Sequence, residues 1–266
     1  MNKKIFFFDV DGTLVKKNTK VIFHSAITAI NKLQDLGHKV VICTGRDISA
    51  ISAFKLNDKI KWDGYICANG QMIYDANLNL VTSLLISSQD VHLISERLKA
   101  KNIDYFLVCD GYTLAPYYSD YLKAGIEYVG QTAIMREGGY NAFKDSVQMM
   151  CCYPLEASKF DNSIIKGTNT KSSFAKFGQY NLVDINVLNI NKAIGAQKFK
   201  ESMGYNELEC VSFGDGSNDI ELLETSDLAI AMGECADELL AVCDYQTAMV
   251  EYDGIYNALV HFGFIS

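Results

Sequence analysis

Residues 4–13, KIFFFDVDGT, contain the strongest indication of how this chain folds. The first half of this stretch, from Lys4 to Phe8, is a short apolar run, which predicts a strand covered on both faces in a parallel sheet. The run stops at Asp9, and a second acid follows at Asp11. Ligands of open parallel sheets bind beyond the carboxyl ends of the strands. The two acids therefore lie where a functional site is expected.

The residues that follow continue a strand–helix–strand pattern. Apolar residues recur at three- and four-residue spacing between Phe23 and Leu36, and Gly37 comes next. This spacing is typical of an amphipathic helix that ends at a glycine. The apolar run from Lys39 to Cys43 predicts a second buried strand, so the three elements form a βαβ unit with a right-handed crossover. Residues 63–67 predict a third strand, and residues 69–74 predict a turn with a hairpin partner.

The pattern changes at about residue 83 and returns at about residue 188. Between these points, two apolar strands are separated by long polar stretches, one of them over residues 166–179, which predicts an α+β insertion. We therefore predict an α/β fold, in which residues 1–82 and 188–266 form a Rossmann-like, doubly wound parallel-sheet core and residues 83–187 form an inserted α/β domain. The predicted inserted strands are Asp104 to Cys109 and Val147 to Tyr153. The late core elements are a helix from Lys192 to Met203 closed by Gly204, a strand from Cys210 to Phe213, a helix from Ser217 to Glu224 and a strand from Leu228 to Ala231.

Composition narrows the classes of partner. The net charge of −8 disfavours nucleic acids and anionic membranes, because both repel an acidic protein. The apolar run Ile5 to Phe8 is too short for a secretory signal, and no later stretch is long enough to span a membrane, so we expect a cytoplasmic protein. The 8 cysteines include no C-x-x-C pair, which favours reduced, buried thiols.

Polar residues follow the predicted strands at three places, and a fourth opens a late helix. Carboxylates at Asp9, Asp11 and Asp215 would repel one another at one sheet edge unless a cation neutralised them. Hard oxygen ligands suit Mg²⁺, and the absence of thiols and imidazoles from the cluster makes zinc a poor fit. The four places are residues 9–13, residues 44–46, Lys192 and residues 214–219.

This set of groups fits phosphoryl transfer, which needs charge neutralisation and in-line positioning more than covalent work by the protein. Mg²⁺ and Lys192 would neutralise the phosphate, and the Thr44 hydroxyl and nearby backbone N–H groups would hold its oxygens. One carboxylate would attack. A second carboxylate two residues further on would protonate the leaving oxygen and later take a proton from water.

Taken in order, these motifs resemble the four motifs of the haloacid dehalogenase superfamily, and the resemblance covers the whole chain. The insertion and three further segments are similar to the Cof-type subfamily, which carries a large α/β cap. That subfamily consists mainly of phosphatases of sugar phosphates and other small metabolites, so the resemblance implies a phosphatase whose cap excludes water and selects the leaving group. The three segments are Ala68-Asn69-Gly70, Ala231-Met232-Gly233 and Asp253-Gly254-Ile255.

The resemblance also implies a role for each matching residue. Asp9 would be the nucleophile and Asp11 the general acid and base. Mg²⁺ would lie on the Asp9 carboxylate, the Asp11 backbone carbonyl and Asp215, with Gly216 close by and Asp219 in support. The implied phosphate contacts are Val10, Thr44, Gly45, Lys192 and Asn218.

Two other functions share parts of this pattern. A phosphomutase returns the aspartyl phosphate to a sugar instead of to water, and the four motifs leave it open. A phospho-acceptor signalling domain also combines Asp, Thr, Lys and Mg²⁺ on a doubly wound sheet. Such domains are about half this length, with an acidic pair before a separate acceptor, so the order Asp9 then Asp11 and the insertion argue against one.

Overall fold

A computed structural model of the chain describes residues 2–17, 19–109, 111–129 and 135–266. The chain divides into two compact units, which are Met1–Thr82 with Asn191–Ser266, and Ser83–Ile190. The helices are α1 (His24–Asp35), α2 (Ile48–Ala53), α3 (Ser88–Ala100), α4 (Asp120–Val129), α5 (Lys192–Met203), α6 (Ile220–Glu224) and α7 (Gly254–His261). The strands are β1 (Lys4–Phe8), β2 (Lys39–Cys43), β3 (Gly64–Cys67), β4 (Met72–Asp75), β5 (Leu80–Ser83), β6 (Asp104–Cys109), β7 (Tyr112–Ala115), β8 (Met135–Glu137), β9 (Val147–Tyr153), β10 (Thr170–Phe177), β11 (Tyr180–Val187), β12 (Glu209–Gly214), β13 (Leu228–Ala231) and β14 (Tyr245–Gln246).

The first unit is built on a sheet with the strand order β14-β13-β12-β1-β2-β3-β4-β5. The strands from β14 to β3 run parallel, and β4 pairs with β3 in the antiparallel direction. Residues 5–8 of β1 are fully buried. Ile5 and Phe7 pack against α5, whereas Phe6 contacts Phe264 on the other face. Layers on both faces of a parallel sheet confirm the predicted α/β core.

The predicted helices and strands of this unit are present, except that the predicted helix from Ser217 to Glu224 consists of a 3-10 turn over Ser217–Asp219 followed by α6. Helix α1 ends just before Gly37, whose φ of +84° lies in the left-handed region that favours glycine. Helix α5 begins after Asn191, whose side chain accepts a hydrogen bond of 2.9 Å from the Ile194 N–H, and it ends at Gly204 with φ +73°. Capping at both ends fixes the position of Lys192 at the start of α5.

The second unit contains a sheet with the order β10-β11-β9-β6-β7-β8. Its pairs are antiparallel except for β7 with β8. The predicted strands β6 and β9 are both present. The polar stretch over residues 166–179, however, contains β10, which pairs with β11 along its whole length. The sequence pattern predicted only a polar stretch there, because β10 is an edge strand whose polar residues need not be covered.

No disulfide joins the 8 cysteines, all of which lie in the described ranges, and five of them are buried. Within those ranges, no helix is long and apolar enough to cross a membrane.

A contact between two glycines places α5 against the turn that follows β3. A Cβ atom built on Gly195 would lie 2.6 Å from the Cα of Gly70 and 2.8 Å from Cγ2 of Ile66. Real Cβ contacts are longer, so only glycine at both positions lets the first turn of α5 approach this closely. Because Lys192 lies on that turn, the contact also determines how far its side chain reaches.

We expect Gly195→Ala to lower the free energy of unfolding by about 2 kcal/mol, because the added methyl group overfills a tightly packed contact. Alanine favours a helix over glycine by about 1 kcal/mol, so a loss of stability isolates the packing effect. Urea unfolding followed by the fluorescence of Trp62, the single tryptophan, reports on this unit. Ser202→Ala, at an exposed position of the same helix, serves as the control. A stability equal to that of the parent chain would show that the contact is not tight.

Candidate active site

Asp9 and Lys192 meet at the carboxyl end of β1. Asp9 directly follows β1, and its backbone N–H donates to the Phe213 carbonyl of neighbouring β12 over 3.1 Å. The Lys192 side chain is fully buried, and its Nζ lies 2.5 Å from Asp9 Oδ1 and 2.6 Å from Asp219 Oδ1. One ammonium group therefore bridges two carboxylates that are far apart in sequence.

Asp219 holds the loop that follows β12. Its Oδ2 accepts hydrogen bonds from the backbone N–H groups of Asp215, over 3.1 Å, and Gly216, over 3.0 Å. Its Oδ1 is taken by Lys192. With both oxygens engaged by the protein, Asp219 fits the supporting role that the sequence predicted for it.

Asp215 lies beside this pair and has a different counter-ion. Its side chain is 2% exposed, and the Thr13 hydroxyl donates to Oδ1 over 3.3 Å. Lys17 Nζ lies 2.7 Å from Oδ2, and the Lys17 side chain is 44% exposed. The Asp215 carboxylate is thus paired with a lysine that reaches in from the surface.

The three buried acids could hold a metal ion. Asp9, Asp215 and Asp219 each offer one carboxylate oxygen, and these oxygens lie within 4.8 Å of one another. Asp219 is held by the fully buried Lys192 ammonium and two backbone N–H groups, whereas Asp215 pairs with a half-exposed lysine and Asp9 contacts Lys192 through one oxygen, so Asp9 and Asp215 are the residues that fit direct coordination. Carboxylate oxygens suit a hard ion such as Mg²⁺. The predicted contacts of the ion with the Asp11 backbone carbonyl and with Gly216 stay predictions.

Asp11 is paired with Arg46. Arg46 Nε lies 2.6 Å from Asp11 Oδ2, and Arg46 Nη2 lies 2.8 Å from Asp11 Oδ1. The guanidinium also covers the ring of Phe54, 4.4 Å from its centroid. Burial alone would lower the pKa of Arg46, but its hydrogen bonds and charge interaction with Asp11 raise that pKa overall. A two-point contact with a planar guanidinium fixes the orientation of the Asp11 carboxylate.

The predicted phosphate contacts lie near the same strand ends. Thr44 is buried, and its hydroxyl accepts a hydrogen bond of 3.1 Å from the Arg46 N–H, which leaves its own proton for another acceptor. Gly45 lies beside an amide pair, since a Cβ built there would be 3.0 Å from Asn69 Oδ1. Asn218 Nδ2 donates to that same oxygen over 2.9 Å. The Val10 side chain is fully buried, so a phosphate contact there would use the backbone.

Burial dominates the electrostatics of the cluster. It raises the pKa of Asp9 well above its usual range; Lys192 opposes the rise, and Asp219 and Asp215 add to it. Burial also raises the pKa of Asp215 to about 6, against the hydrogen bond and charge of Lys17. The pKa of Lys192 is lowered by burial but raised overall by Asp219 and Asp9. The two lysines do not bring the pKa of Asp9 back to its usual range. Additional positive charge nearby, such as a bound cation, would therefore favour the ionised form of Asp9.

A family model described as haloacid dehalogenase-like hydrolase matches residues 6–259. The chain belongs to this family. It is 25% identical to the 5-amino-6-(5-phospho-D-ribitylamino)uracil phosphatase YcsE of Bacillus subtilis over 261 residues, which cover 97% of this chain and 95% of the relative.

Solved structures of haloacid dehalogenase phosphatases are also similar to this chain. BT1666 from Bacteroides thetaiotaomicron matches with a TM-score of 0.82 and 25% identity, covering 99% of this chain and 96% of that one. The subclass IIB sugar phosphatase BT4131 matches with a TM-score of 0.81 and 25% identity, covering 99% and 100%. The predicted superfamily, fold class and phosphatase class are confirmed.

Three residues of this haloacid dehalogenase-like site had no predicted role. Lys17 lies beyond the first motif, and nothing in its local sequence indicates that it reaches Asp215. Arg46 directly follows Thr44 and Gly45, and its charge next to two predicted phosphate contacts was the available signal. Asn69 adopts a left-handed backbone with φ +54°, directly after Ala68 with φ +50°. Such strain in residues other than glycine concentrates at functional sites, but it is visible only in coordinates.

We expect Lys192→Met to lower the free energy of unfolding by about 3–5 kcal/mol, because it leaves Asp9 and Asp219 as uncompensated buried charges. Urea unfolding with a chelator present, followed by Trp62 fluorescence, measures the loss. Lys198→Met, in the same helix, should have little effect. Adding Asp219→Asn to Lys192→Met should recover part of the lost stability, since one of the stranded charges is removed. If both lysine variants unfolded at the same urea concentration, the contacts of Lys192 with Asp9 and Asp219 would not stabilise the fold.

Proposed function

We propose that this chain is a Mg²⁺-dependent phosphatase that hydrolyses a small phosphorylated metabolite through an aspartyl phosphate on Asp9. The observation that carries this proposal is that the Asp9 carboxylate contacts the buried Lys192 ammonium and has an oxygen within 4.8 Å of an Asp215 oxygen, so that the two acids could share an ion. Membership of the haloacid dehalogenase-like hydrolases supports the same reaction class.

Asp9 attacks the phosphorus atom of the substrate with a carboxylate oxygen. Lys192 Nζ lies 2.5 Å from Oδ1 of this carboxylate and fixes its orientation. A bond forms between the attacking oxygen and phosphorus as the bond from phosphorus to the leaving oxygen breaks. When bound, Mg²⁺ would neutralise charge on the phosphate and favour the ionised form of Asp9. Lys192 contributes a second, fixed positive charge.

The phosphate oxygens are held by donors at the strand ends. The Thr44 hydroxyl has a proton to donate, because it accepts rather than donates in its bond with the Arg46 N–H. Lys192 supplies an ammonium group, and the Asn218 amide has a second N–H besides the one bound to Asn69. Donors fixed in advance around the equatorial oxygens are the main protein contribution to phosphoryl transfer.

Asp11 handles the protons. It donates one to the leaving oxygen, and then accepts one from the water that attacks the phosphorus of the aspartyl phosphate. Inorganic phosphate leaves, and the Asp9 carboxylate is restored. Both oxygens of Asp11 accept a hydrogen bond from Arg46, and each keeps a second lone pair that can take or give the proton.

The substrate class follows from charge and from relatives. A chain of net charge −8 attracts an anion only through local positive groups, which favours a small phosphate ester over a nucleic acid. YcsE, by its name, acts on a phosphorylated ribitylamino-uracil, and BT4131 is a sugar phosphatase. We propose a phosphorylated metabolite of similar size. Selection of the leaving group by the inserted unit and a cytoplasmic location stay predictions from the sequence.

We expect Asp9→Asn to reduce phosphate release by at least about a thousandfold while leaving urea unfolding cooperative, since an amide cannot form the phosphoryl intermediate. The measurement is release of inorganic phosphate from a panel of sugar phosphates, nucleotides, flavin and pyridoxal phosphates and the phosphorylated ribitylamino-uracil. Asp35→Asn, at an exposed position at the end of α1, controls for the loss of one acid. Substantial metal-dependent turnover by Asp9→Asn would refute the nucleophile assignment.

We expect a chelator to abolish phosphate release and added Mg²⁺ to restore it, because the carboxylate cluster lacks enough positive charge without the ion. Asp215→Asn should need far more Mg²⁺ for the same rate than the parent chain. Analysis of the products decides the fate of the phosphoryl group. An isomerised sugar phosphate without free phosphate would show a mutase, and full activity in chelator would remove the metal from the proposal.

A further inference from the structure

The charge cluster contains two lysines whose surroundings differ sharply. Lys192 is fully buried and bridges Asp9 and Asp219, so moving its ammonium group would strand two buried carboxylates. Among the described residues Lys17 forms an ion pair with Asp215, with Glu234 adding a charge interaction, and almost half of its side chain is exposed to solvent. Water is therefore an alternative partner for Lys17, but not for Lys192.

The backbone of the segment before Lys17 places the Lys17 side chain near Asp215. It follows the turn of residues 9–13, where the Gly12 N–H donates to the Val15 carbonyl over 2.8 Å, and Val15 bridges to Ile22 in the antiparallel direction. Gly12 has φ +92°, and a Cβ built there would lie 2.7 Å from Lys17 Cε. Because Gly12 has no side chain, the Lys17 side chain can pass beside it to reach Asp215.

Both oxygens of Asp215, the proposed metal ligand, have partners within the protein. Lys17 Nζ lies 2.7 Å from Oδ2, and the Thr13 hydroxyl donates to Oδ1, so an ion at Asp215 would lie close to the Lys17 ammonium. An ammonium group and a divalent cation on the same carboxylate oxygen would repel each other strongly in a partly dry site. Binding of the ion at Asp215 and the contact with Lys17 therefore compete.

We propose that Lys17 is a displaceable counter-ion that neutralises Asp215 in the metal-free protein and is expelled when the metal ion binds. This inference rests on the proposed metal site and adds a residue to it. Lys17 reduces the repulsion among the carboxylates while the ion is absent. The affinity for the metal is lowered, because the ion pair between Lys17 and Asp215 has to be broken when the ion binds. Lys192 stays in place in both states.

The test is equilibrium binding of Mn²⁺, used as a probe of the Mg²⁺ site, with free Mn²⁺ measured by electron paramagnetic resonance at fixed ionic strength and pH. Lys17→Gln should bind Mn²⁺ about five times more tightly than the parent chain, which corresponds to the loss of one half-exposed ion pair. Lys16→Gln is the matched control, because its neighbouring ammonium pairs with Glu251 over 3.0 Å and not with Asp215. It should bind as the parent chain does.

Lys17→Arg keeps the positive charge and can hold the carboxylate at two points, so it should bind Mn²⁺ more weakly than the parent chain, and binding equal to that of the parent would contradict the displacement. This variant carries the test if Lys17→Gln fails to fold without metal. Equal or weaker binding by Lys17→Gln, or an equal gain in Lys16→Gln, would overturn the displacement. Asp215→Asn distinguishes a failure of the Lys17 proposal from a failure of the proposed metal site. If it bound Mn²⁺ as tightly as the parent chain, the proposed metal site itself would be wrong, and the role of Lys17 with it.

Discussion

The buried ammonium group of Lys192, shared between Asp9 and Asp219, holds together the elements that form the site. Each partner alone would be an isolated charge in a dry environment, and such charges cost far more than a hydrogen bond returns. Together they bind the start of α5 to the ends of β1 and β12. The glycine contact between Gly195 and Gly70 and the cap at Asn191 both serve the same end, since each fixes the turn from which Lys192 extends.

Sheet topology explains why distant segments supply these groups. Strand β1 lies between β12 and β2, all parallel, so the residues after each strand emerge at one edge. This order brings Asp9 next to Asp215 on one side and next to Thr44 on the other. Asp215, an acid that suits a cation, thus lies on one side of the Asp9 carboxylate, and Thr44, a donor that suits a phosphate oxygen, lies on the other.

The core could be predicted from the sequence because its signals are local. The apolar run of β1, the period of α1 and the glycine after α5 are each readable within a dozen residues. The contacts of Lys17, Arg46 and Asn69 could not be predicted in this way. Each depends on how a loop folds back across the sheet edge, and lysine or asparagine in a loop has no pattern of its own. Strand β10 was missed for a related reason, since an edge strand with polar residues resembles a loop.

Lys192 and Lys17 carry the same charge, yet burial gives them opposite properties. At about 4 Å, two like charges in partly buried surroundings repel by about 4 kcal/mol, so three acids without a cation would strain the loops that hold them. A fully buried lysine relieves two of the acids permanently, because its own desolvation makes departure costly. The charge of the third acid, Asp215, has to be compensated while the ion is absent, and its carboxylate has to be able to bind the ion when it is present. A lysine on an exposed segment meets both requirements, because solvent compensates it when it leaves.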